Sequence, residues 1–324
     1  MDTSNAWAFP EALQPTASEV RFDLQAAFDA VVKVHSEIPE DAFTAGILGT
    51  ERVGSGVVIR EDGLVLTIGY LVTEAESVWL TFNDGSTMAA YPLAYDFSTG
   101  FGLLAPLGHP RTAWLSRGTS RSLTPGADAF VIGHGGRDHA LRTRLHERRE
   151  FAGYWEYVLD EALFTVPAHP EWGGTALLNE DGELVGLGSL LVEERDGEEA
   201  VAGNMFVPVE LLAPILDDLL RQGRAPGPAR PWLGMYTTQS DGYLVVTGVA
   251  PGGPADQAGV TRGDVVVELA GERMGSLAGM FRKVWRLGAA GVDVPLALAR
   301  NGSLIRLRVQ SGDRNNFLKK PRTH

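Results

Sequence analysis

Residues 53–68 read VGSGVVIREDGLVLTI and consist of two β-prone runs on either side of an Asp-Gly pair. An Asp-Gly pair between such runs is the strongest short-range signal of a β-hairpin. The pattern recurs at Asn83-Asp84-Gly85 and at Asn179–Gly182, again between short apolar runs. Many short strands at this spacing predict an antiparallel barrel or sandwich, so the fold is expected to be mainly β over about residues 53–207.

The pattern changes after this β-rich region. Pro208–Arg221 carries apolar residues at helical spacing, and the Gly- and Pro-rich stretch at 223–230 favours neither helix nor strand. About eighty residues follow, in which short strands alternate with a predicted helix at Ser276–Leu287. This order predicts a second, small α+β domain after a linker.

Composition excludes several function classes. The chain has 324 residues, 44% of them hydrophobic, a formal net charge of −13 and no cysteine. Disulfides and thiolate chemistry are therefore excluded, and nucleic acid and anionic lipid are not expected partners. No apolar run is long enough to span a membrane, and no secretory signal is visible. The expected location is cytoplasmic as written, or periplasmic if a leader was removed. The Arg-rich stretch Arg137–Arg149 is interpreted as a solvated surface loop or helix.

Several short motifs appear in a fixed order along both domains. They are Gly54–Ile59, Leu66-Thr67, Gly173-Gly174, Asp181–Gly186, Trp232–Met235 and Arg262–Val266. In this order and spacing the chain resembles the HtrA/DegP family. The resemblance implies a trypsin-like double β-barrel followed by a small α+β PDZ domain, and a role in protein quality control.

The resemblance also implies domain limits. We expect an N-terminal arm at 1–40, a trypsin-like domain at 41–222, a linker at 223–230, a PDZ domain at 231–312 and a tail at 313–324. Family members trimerise through N-terminal aromatic residues. Trp7 and Phe9 suggest the same mode of assembly here, and the resemblance therefore implies a possible homotrimer.

The three positions that carry the catalytic triad in the family hold other residues here. Tyr70 stands where the resemblance implies the histidine, Gly100 where it implies the aspartate, and Trp172 where it implies the serine. A phenol with a pKa near 10 is a poor general base at neutral pH, and an indole has no nucleophilic oxygen. Pro170 stands where the resemblance implies a glycine whose backbone N–H helps to hold the oxyanion. Proline has no N–H to donate.

These substitutions predict a catalytically inactive pseudoprotease that acts as a peptide-binding scaffold or adaptor. Tyr70 and Trp172 are then expected to fill the former cleft, although a new apolar site there is an alternative. A second hypothesis is a serine-type endopeptidase that uses displaced residues, with His169, Thr175 and Ser189 as candidates. A third is a chaperone-like holdase that binds unfolded peptides. His134, His139 and His146 do not match a known metal site, and neither metal nor cofactor is expected.

The PDZ-like part retains its binding motif. The resemblance implies that the loop Trp232, Leu233, Gly234 and Met235 turns its N–H groups toward a peptide's C-terminal carboxylate, while the peptide adds to the sheet edge. The predicted helix would supply a side-chain pocket from Leu277, Phe281 and Val284, whose alternative role is simple core packing. Protein C-termini are the expected partners.

Overall fold

The structure, a computed structural model, describes residues 7–320. Residues 1–6 of the predicted arm and 321–324 of the predicted tail lie outside the described residues. The described chain divides into two compact units. The first comprises residues 7–149, 161–225 and 319–320, and the second comprises residues 150–160 and 226–318.

Six antiparallel strands close the first barrel in the order β1-β2-β3-β6-β5-β4. They are β1 (Val31–Glu37), β2 (Glu51–Val58), β3 (Val65–Ile68), β4 (Ser77–Thr81), β5 (Thr87–Tyr95) and β6 (Phe101–Pro106). The short helix α1 (Leu24–Asp29) precedes β1, and α2 (Ala45–Leu48) lies between β1 and β2. The carboxylate of Asp23 caps α1 by accepting the N–H groups of Gln25 and Ala26. Strand β1 belongs to this barrel although it precedes residue 41, the expected start of the trypsin-like domain.

A second closed barrel follows in the order β10-β11-β12-β9-β8-β7. Its strands are β7 (Asp128–Ile132), β8 (Ala140–Gly153), β9 (Tyr157–Val166), β10 (Ala176–Leu178), β11 (Leu184–Asp196) and β12 (Glu199–Pro208). Its core is a cluster of buried aliphatic side chains around Phe206. The helix predicted for Pro208–Arg221 is only partly present, as a 3-10 turn at Val209–Leu211 and the helix α3 (Leu216–Gln222).

The Arg-rich stretch is not the predicted surface loop or helix. A short 3-10 turn at Gly136–His139 leads into β8, which carries most of it. Leu141, Thr143 and Leu145 point into the barrel and are buried, whereas Arg142 and Arg144 lie on the other face. Side chains alternate between the two faces of a strand, so Arg142 and Arg144 lie on the outer face of β8. The high density of charge therefore did not indicate a loop.

The second unit is a sheet in the order β13-β14-β15-β17-β18, with β16 paired to β15. The strands are β13 (Met235–Ser240), β14 (Tyr243–Val249), β15 (Val265–Leu269), β16 (Glu272–Arg273), β17 (Asp293–Arg300) and β18 (Ser303–Gln310). Its helices are α4 (Pro254–Gln257) and α5 (Leu277–Arg286). The predicted fold class is confirmed: the chain is mainly β, a trypsin-like double barrel followed by a small α+β domain. No helix within residues 7–320 is long and apolar enough to cross a membrane.

Candidate functional site

Tyr70 lies in a 3-10 turn, Gly69–Leu71, that directly follows β3. Its hydroxyl donates a hydrogen bond to the carbonyl oxygen of Ser189 at 2.9 Å. Burial raises the pKa of Tyr70 far above its usual range, and a hydrogen bond with the Trp172 side chain opposes this only in part. The structure therefore brings Tyr70 and Trp172 together, with the phenol neutral at any physiological pH.

Gly100 occupies a tight turn between β5 and β6. Its N–H donates to the Asp96 carbonyl at 2.7 Å, and its own carbonyl accepts the N–H of Gly69 at 2.7 Å. The backbone φ is +85°, a conformation that side-chain-bearing residues rarely adopt. Asp96 instead accepts the N–H and hydroxyl of Thr99 at 2.8 Å each, so it stabilises the turn. An aspartate at position 100 would be strained in this turn.

The three displaced candidates named from the sequence do not form a nucleophile–base pair. The Thr175 hydroxyl donates to the Trp172 carbonyl at 3.0 Å, and Ser189 is buried. His169 is fully buried, with Nε2 3.1 Å from the His139 carbonyl and Nδ1 accepting the N–H of Glu171. Pro170 beside it is exposed and has no N–H to donate.

A different serine and histidine do meet at the nucleophile loop. Ser55 on β2 places its Oγ 3.0 Å from Nδ1 of His134 and accepts the backbone N–H of His134 at 3.1 Å. The Ser55 N–H donates to the carbonyl of Gly173, inside the nucleophile loop, at 2.7 Å. On the far side of the imidazole, His134 Nε2 lies 3.8 Å from Oε2 of Glu171. Serine, imidazole and carboxylate thus lie in series, in the order of a serine triad, with the imidazole and the carboxylate farther apart than a hydrogen bond.

The charge state of this group follows from burial. Desolvation lowers the pKa of His134 to about 4, against the opposing effect of Glu171. The imidazole is neutral at pH 7 and free to accept a proton, although such a low pKa makes it a weak base. The sequence did not reveal the Ser55–His134–Glu171 group. Ser55 lay within the family motif Gly54–Ile59, and no local motif links it to His134.

Trp7 and Phe9 pack on the same region of this chain. Trp7 stacks on His139 with ring centroids 4.2 Å apart, and its Nε1 donates to Glu171 Oε1 at 3.0 Å. The Phe9 ring lies edge-on to His169 at 5.2 Å. The aromatic residues proposed for trimerisation therefore contact their own chain, and trimerisation stays a prediction.

The histidines considered as metal ligands have other partners. His139 Nδ1 lies 3.5 Å from Glu171, and His146 Nε2 lies 4.0 Å from Glu194. Across the described part of the chain, no group of three or more His, Asp or Glu side chains is arranged to hold a metal ion.

The loop before β13 presents three backbone N–H groups to one carboxylate. Gly234 donates to Glu156 Oε1 at 2.7 Å, Met235 donates to the same oxygen at 3.2 Å, and Leu233 donates to both oxygens at 3.0 and 3.1 Å. Gly234 has φ +67°, and an added Cβ would lie 3.0 Å from the Trp232 ring. The positive φ and the close approach of the Trp232 ring favour glycine at this position.

The predicted pocket residues surround this loop. Leu277, Phe281 and Val284 on α5 are buried in one core cluster with Leu233 and Met235. Trp232 is also buried and lies against Phe317, with ring centroids 4.8 Å apart. These contacts are those of core packing, and a role in lining a peptide pocket stays a prediction.

Comparisons with known proteins agree with this architecture. A trypsin-like peptidase domain matches residues 54–187, and a PDZ domain matches residues 231–310. A probable periplasmic serine endoprotease, DegP-like, from Halomonas elongata is 26% identical over 274 residues, covering 81% of this chain and 56% of the relative. The serine endoprotease DegS of Haemophilus influenzae is 24% identical over 239 residues, covering 68% of this chain and 66% of the relative.

Solved structures show the same fold. The HtrA-type protease AlgW with a decapeptide has a TM-score of 0.53 at 18% identity, covering 93% of this chain and all of that one. A serine endoprotease from Yersinia pestis has a TM-score of 0.50 at 22% identity, covering 91% of this chain and 99% of that one. The chain spans between half and two thirds of the length of the curated relatives it matches.

Two predictions change in the light of these relatives. The prediction that the chain is not an enzyme is wrong on this comparison, because the matching relatives are named serine endoproteases and nothing shows a loss of activity. The cytoplasmic location is not supported either, because DegP-like relatives are named periplasmic. A trypsin-like peptidase domain followed by a PDZ domain, together with DegP-like and DegS relatives, supports membership of the HtrA family.

Proposed function

We propose that this chain is an HtrA-type serine endopeptidase that recognises protein C-termini through its PDZ domain. One observation carries the recognition step: the N–H groups of Leu233, Gly234 and Met235 converge on a single carboxylate within 3.2 Å. A peptide C-terminus offers the same group, and hydrogen bonds to a charged acceptor are about twice as strong as neutral ones. The periplasm is the proposed location, which fractionation of cells that make the full-length protein would check.

Paired peptides test the recognition step. Fluorescein-labelled decapeptides ending in Val, Leu or Phe are prepared with a free or an amidated C-terminus, and binding is followed by fluorescence anisotropy. We expect at least about tenfold tighter binding of the free acids, because charge-assisted hydrogen bonds contribute roughly 1.5–3 kcal/mol each. Equal affinity for the acid and the amide would contradict the proposal.

A glycine pair supplies the matched control. Gly234→Ala places a Cβ 3.0 Å from the Trp232 ring at a positive φ, whereas Gly242→Ala at φ +80° meets nothing within 4 Å. Both changes strain the backbone, but only the first distorts the carboxylate loop. Loss of binding in Gly234→Ala alone supports the assignment of the site.

A second proposal concerns the chemistry of hydrolysis. We propose that Ser55, His134 and Glu171 are the displaced residues that replace Tyr70, Gly100 and Trp172. It is supported by the 3.0 Å approach of Ser55 Oγ to His134 Nδ1, with Glu171 on the other side of the ring. Ser55 is fully buried, so a substrate would reach it only after the nucleophile loop moves.

Serine variants test this second proposal. Cleavage of unfolded casein is expected to fall by at least about a hundredfold in Ser55→Ala, since removal of a serine nucleophile is far more costly than a packing change. Ser36→Ala is the matched control, because Ser36 is equally buried in the same barrel and its hydroxyl lacks a hydrogen-bond partner among the described residues. Labelling by a fluorophosphonate, mapped by mass spectrometry, should fall on Ser55. Absence of cleavage by the unaltered protein, or full activity of Ser55→Ala, would rule the assignment out.

A further inference from the structure

The carboxylate in the PDZ loop belongs to the chain itself. Glu156 lies at the tip of the hairpin that connects β8 and β9, at residues 150–160, which pack as part of the second unit. Its φ of +63° is unusual for a residue with a side chain, and it lies 77 positions before Leu233 in sequence. The tip holds a strained backbone while its side chain accepts the loop N–H groups.

The hairpin tip also pairs with the sheet edge as an added strand would. Strand β13 is the outer strand of its sheet, and the N–H of Thr237 donates to the carbonyl of Tyr154 at 3.1 Å. Peptides that bind by strand addition combine such backbone hydrogen bonds with a pocket for a side chain.

The same hairpin also contributes an apolar side chain, as a bound peptide would. Val158 is only 8% exposed and belongs to the core cluster that contains Leu233, Met235 and Phe281. Carboxylate, backbone hydrogen bond and buried aliphatic side chain are the three groups that a C-terminal peptide would contribute. Here one internal segment contributes all of them.

Besides the buried Val158, polar contacts hold the hairpin in place. Arg282 on α5 forms ion pairs with Glu150, at 2.5 Å, and with Asp160. The guanidinium of Arg314 donates to the carbonyl of Trp155 at 3.3 Å. Exposed ion pairs contribute little stability, so these polar contacts add little to the cost of releasing the hairpin.

We propose that the hairpin tip at 150–160 is an internal ligand that closes the PDZ loop, and that a protein C-terminus ending in an apolar residue binds by displacing it. This inference rests on the proposed recognition of C-termini. The peptide competes with Glu156 for the same three N–H groups, so its apparent affinity is reduced by the fraction of molecules in the closed state.

Acidity sets the balance between the two states. Burial raises the pKa of Glu156 to about 7, while the loop N–H groups and the Arg314 guanidinium oppose the rise. Besides Arg314, the phenol of Tyr236 interacts electrostatically with Glu156. The closed state binds the proton more tightly than the released state, whose carboxylate has a pKa near 4.5. Closure is therefore strongest at low pH and weakens as the pH rises through 7.

The decisive variant is Glu156→Gly, which removes the carboxylate and suits the positive φ of the turn. We expect the free-acid peptides to bind at least about tenfold more tightly than to the unaltered protein. Hydrogen exchange should simultaneously accelerate at residues 233–235. Glu161→Gln, an exposed charge removal on the same hairpin, is the matched control and should change neither quantity. Arg282→Ala, which breaks the ion pairs without altering the loop, should give a smaller gain of the same sign.

The pH profile gives a second readout. In the unaltered protein, peptide affinity should rise by on the order of tenfold from pH 5.5 to 8.5, because closure loses its bound proton. Glu156→Gln cannot titrate, so its profile should be flat.

The outcomes separate the two proposals. Equal binding by Glu156→Gly and the unaltered protein would overturn the internal ligand and leave C-terminal recognition standing. Binding of free-acid peptides by neither protein would overturn the recognition itself, and the role of the hairpin with it.

Discussion

The buried imidazole of His169 makes the stability of the fold depend on pH. Burial lowers the pKa of His169 to about 4, against the hydrogen bond to the His139 carbonyl that favours the charged form. Because the folded pKa lies below the unfolded value near 6.5, the neutral ring stabilises the fold fully above pH 6.5. That contribution is lost as the pH falls toward 4.

The change His169→Gln tests this dependence. Between pH 7 and 4.5 the free energy of unfolding of the unaltered protein should fall by about 2–3 kcal/mol more than that of the variant. Urea unfolding of both proteins at the two pH values measures the difference. His109→Gln, at an exposed position, is the control and should follow the unaltered protein. Parallel profiles for all three proteins would contradict the assignment.

Among the elements, α5 depends on a side-chain cap. The hydroxyl of Ser276 accepts the N–H of Gly279 at 3.1 Å and so satisfies one of the free donors at the start of the helix. The helix carries Phe281 and Val284 into the core of the second unit, and Arg282 toward the hairpin. The stability of the helix therefore bears on both the core and the closed state.

Removal of this cap has a predictable cost. Ser276→Ala should lower the free energy of unfolding of the second unit by about 1 kcal/mol, since the Gly279 N–H loses its partner. The free energy of unfolding is measured by chemical denaturation, with circular dichroism as the signal. Ser303→Ala, an exposed serine at the start of β18, should change stability by less than about 0.5 kcal/mol.

Elements differed in how far their sequences predicted them. The helix expected at Ser276–Leu287 is present as Leu277–Arg286, because an apolar stripe and a capping serine mark it locally. Strand β8 was misread because its arginines suggested a solvated segment, although every second residue from Leu141 to Leu145 is buried. Alternation was the better signal than charge density.

At the scale of the whole molecule, the second unit is assembled from two separate pieces of chain, residues 150–160 and 226–318. The order of the two domains was visible in the motifs. The sequence did not show that the β8–β9 hairpin contributes to the second unit. Nothing local in Tyr154-Trp155-Glu156 indicates which surface will accept the carboxylate of Glu156.

The sequence by itself determined the mainly β pattern, the two-part order, the family resemblance and the occupants of positions 70, 100, 170 and 172. These follow from local periodicity, turn chemistry and residue identity. Only the tertiary structure decided that Ser55 meets His134 across 79 residues and that Glu156 occupies the PDZ loop across 77. Such pairs form when long loops close around a packed core, and short-range patterns carry no information about which distant groups then come together.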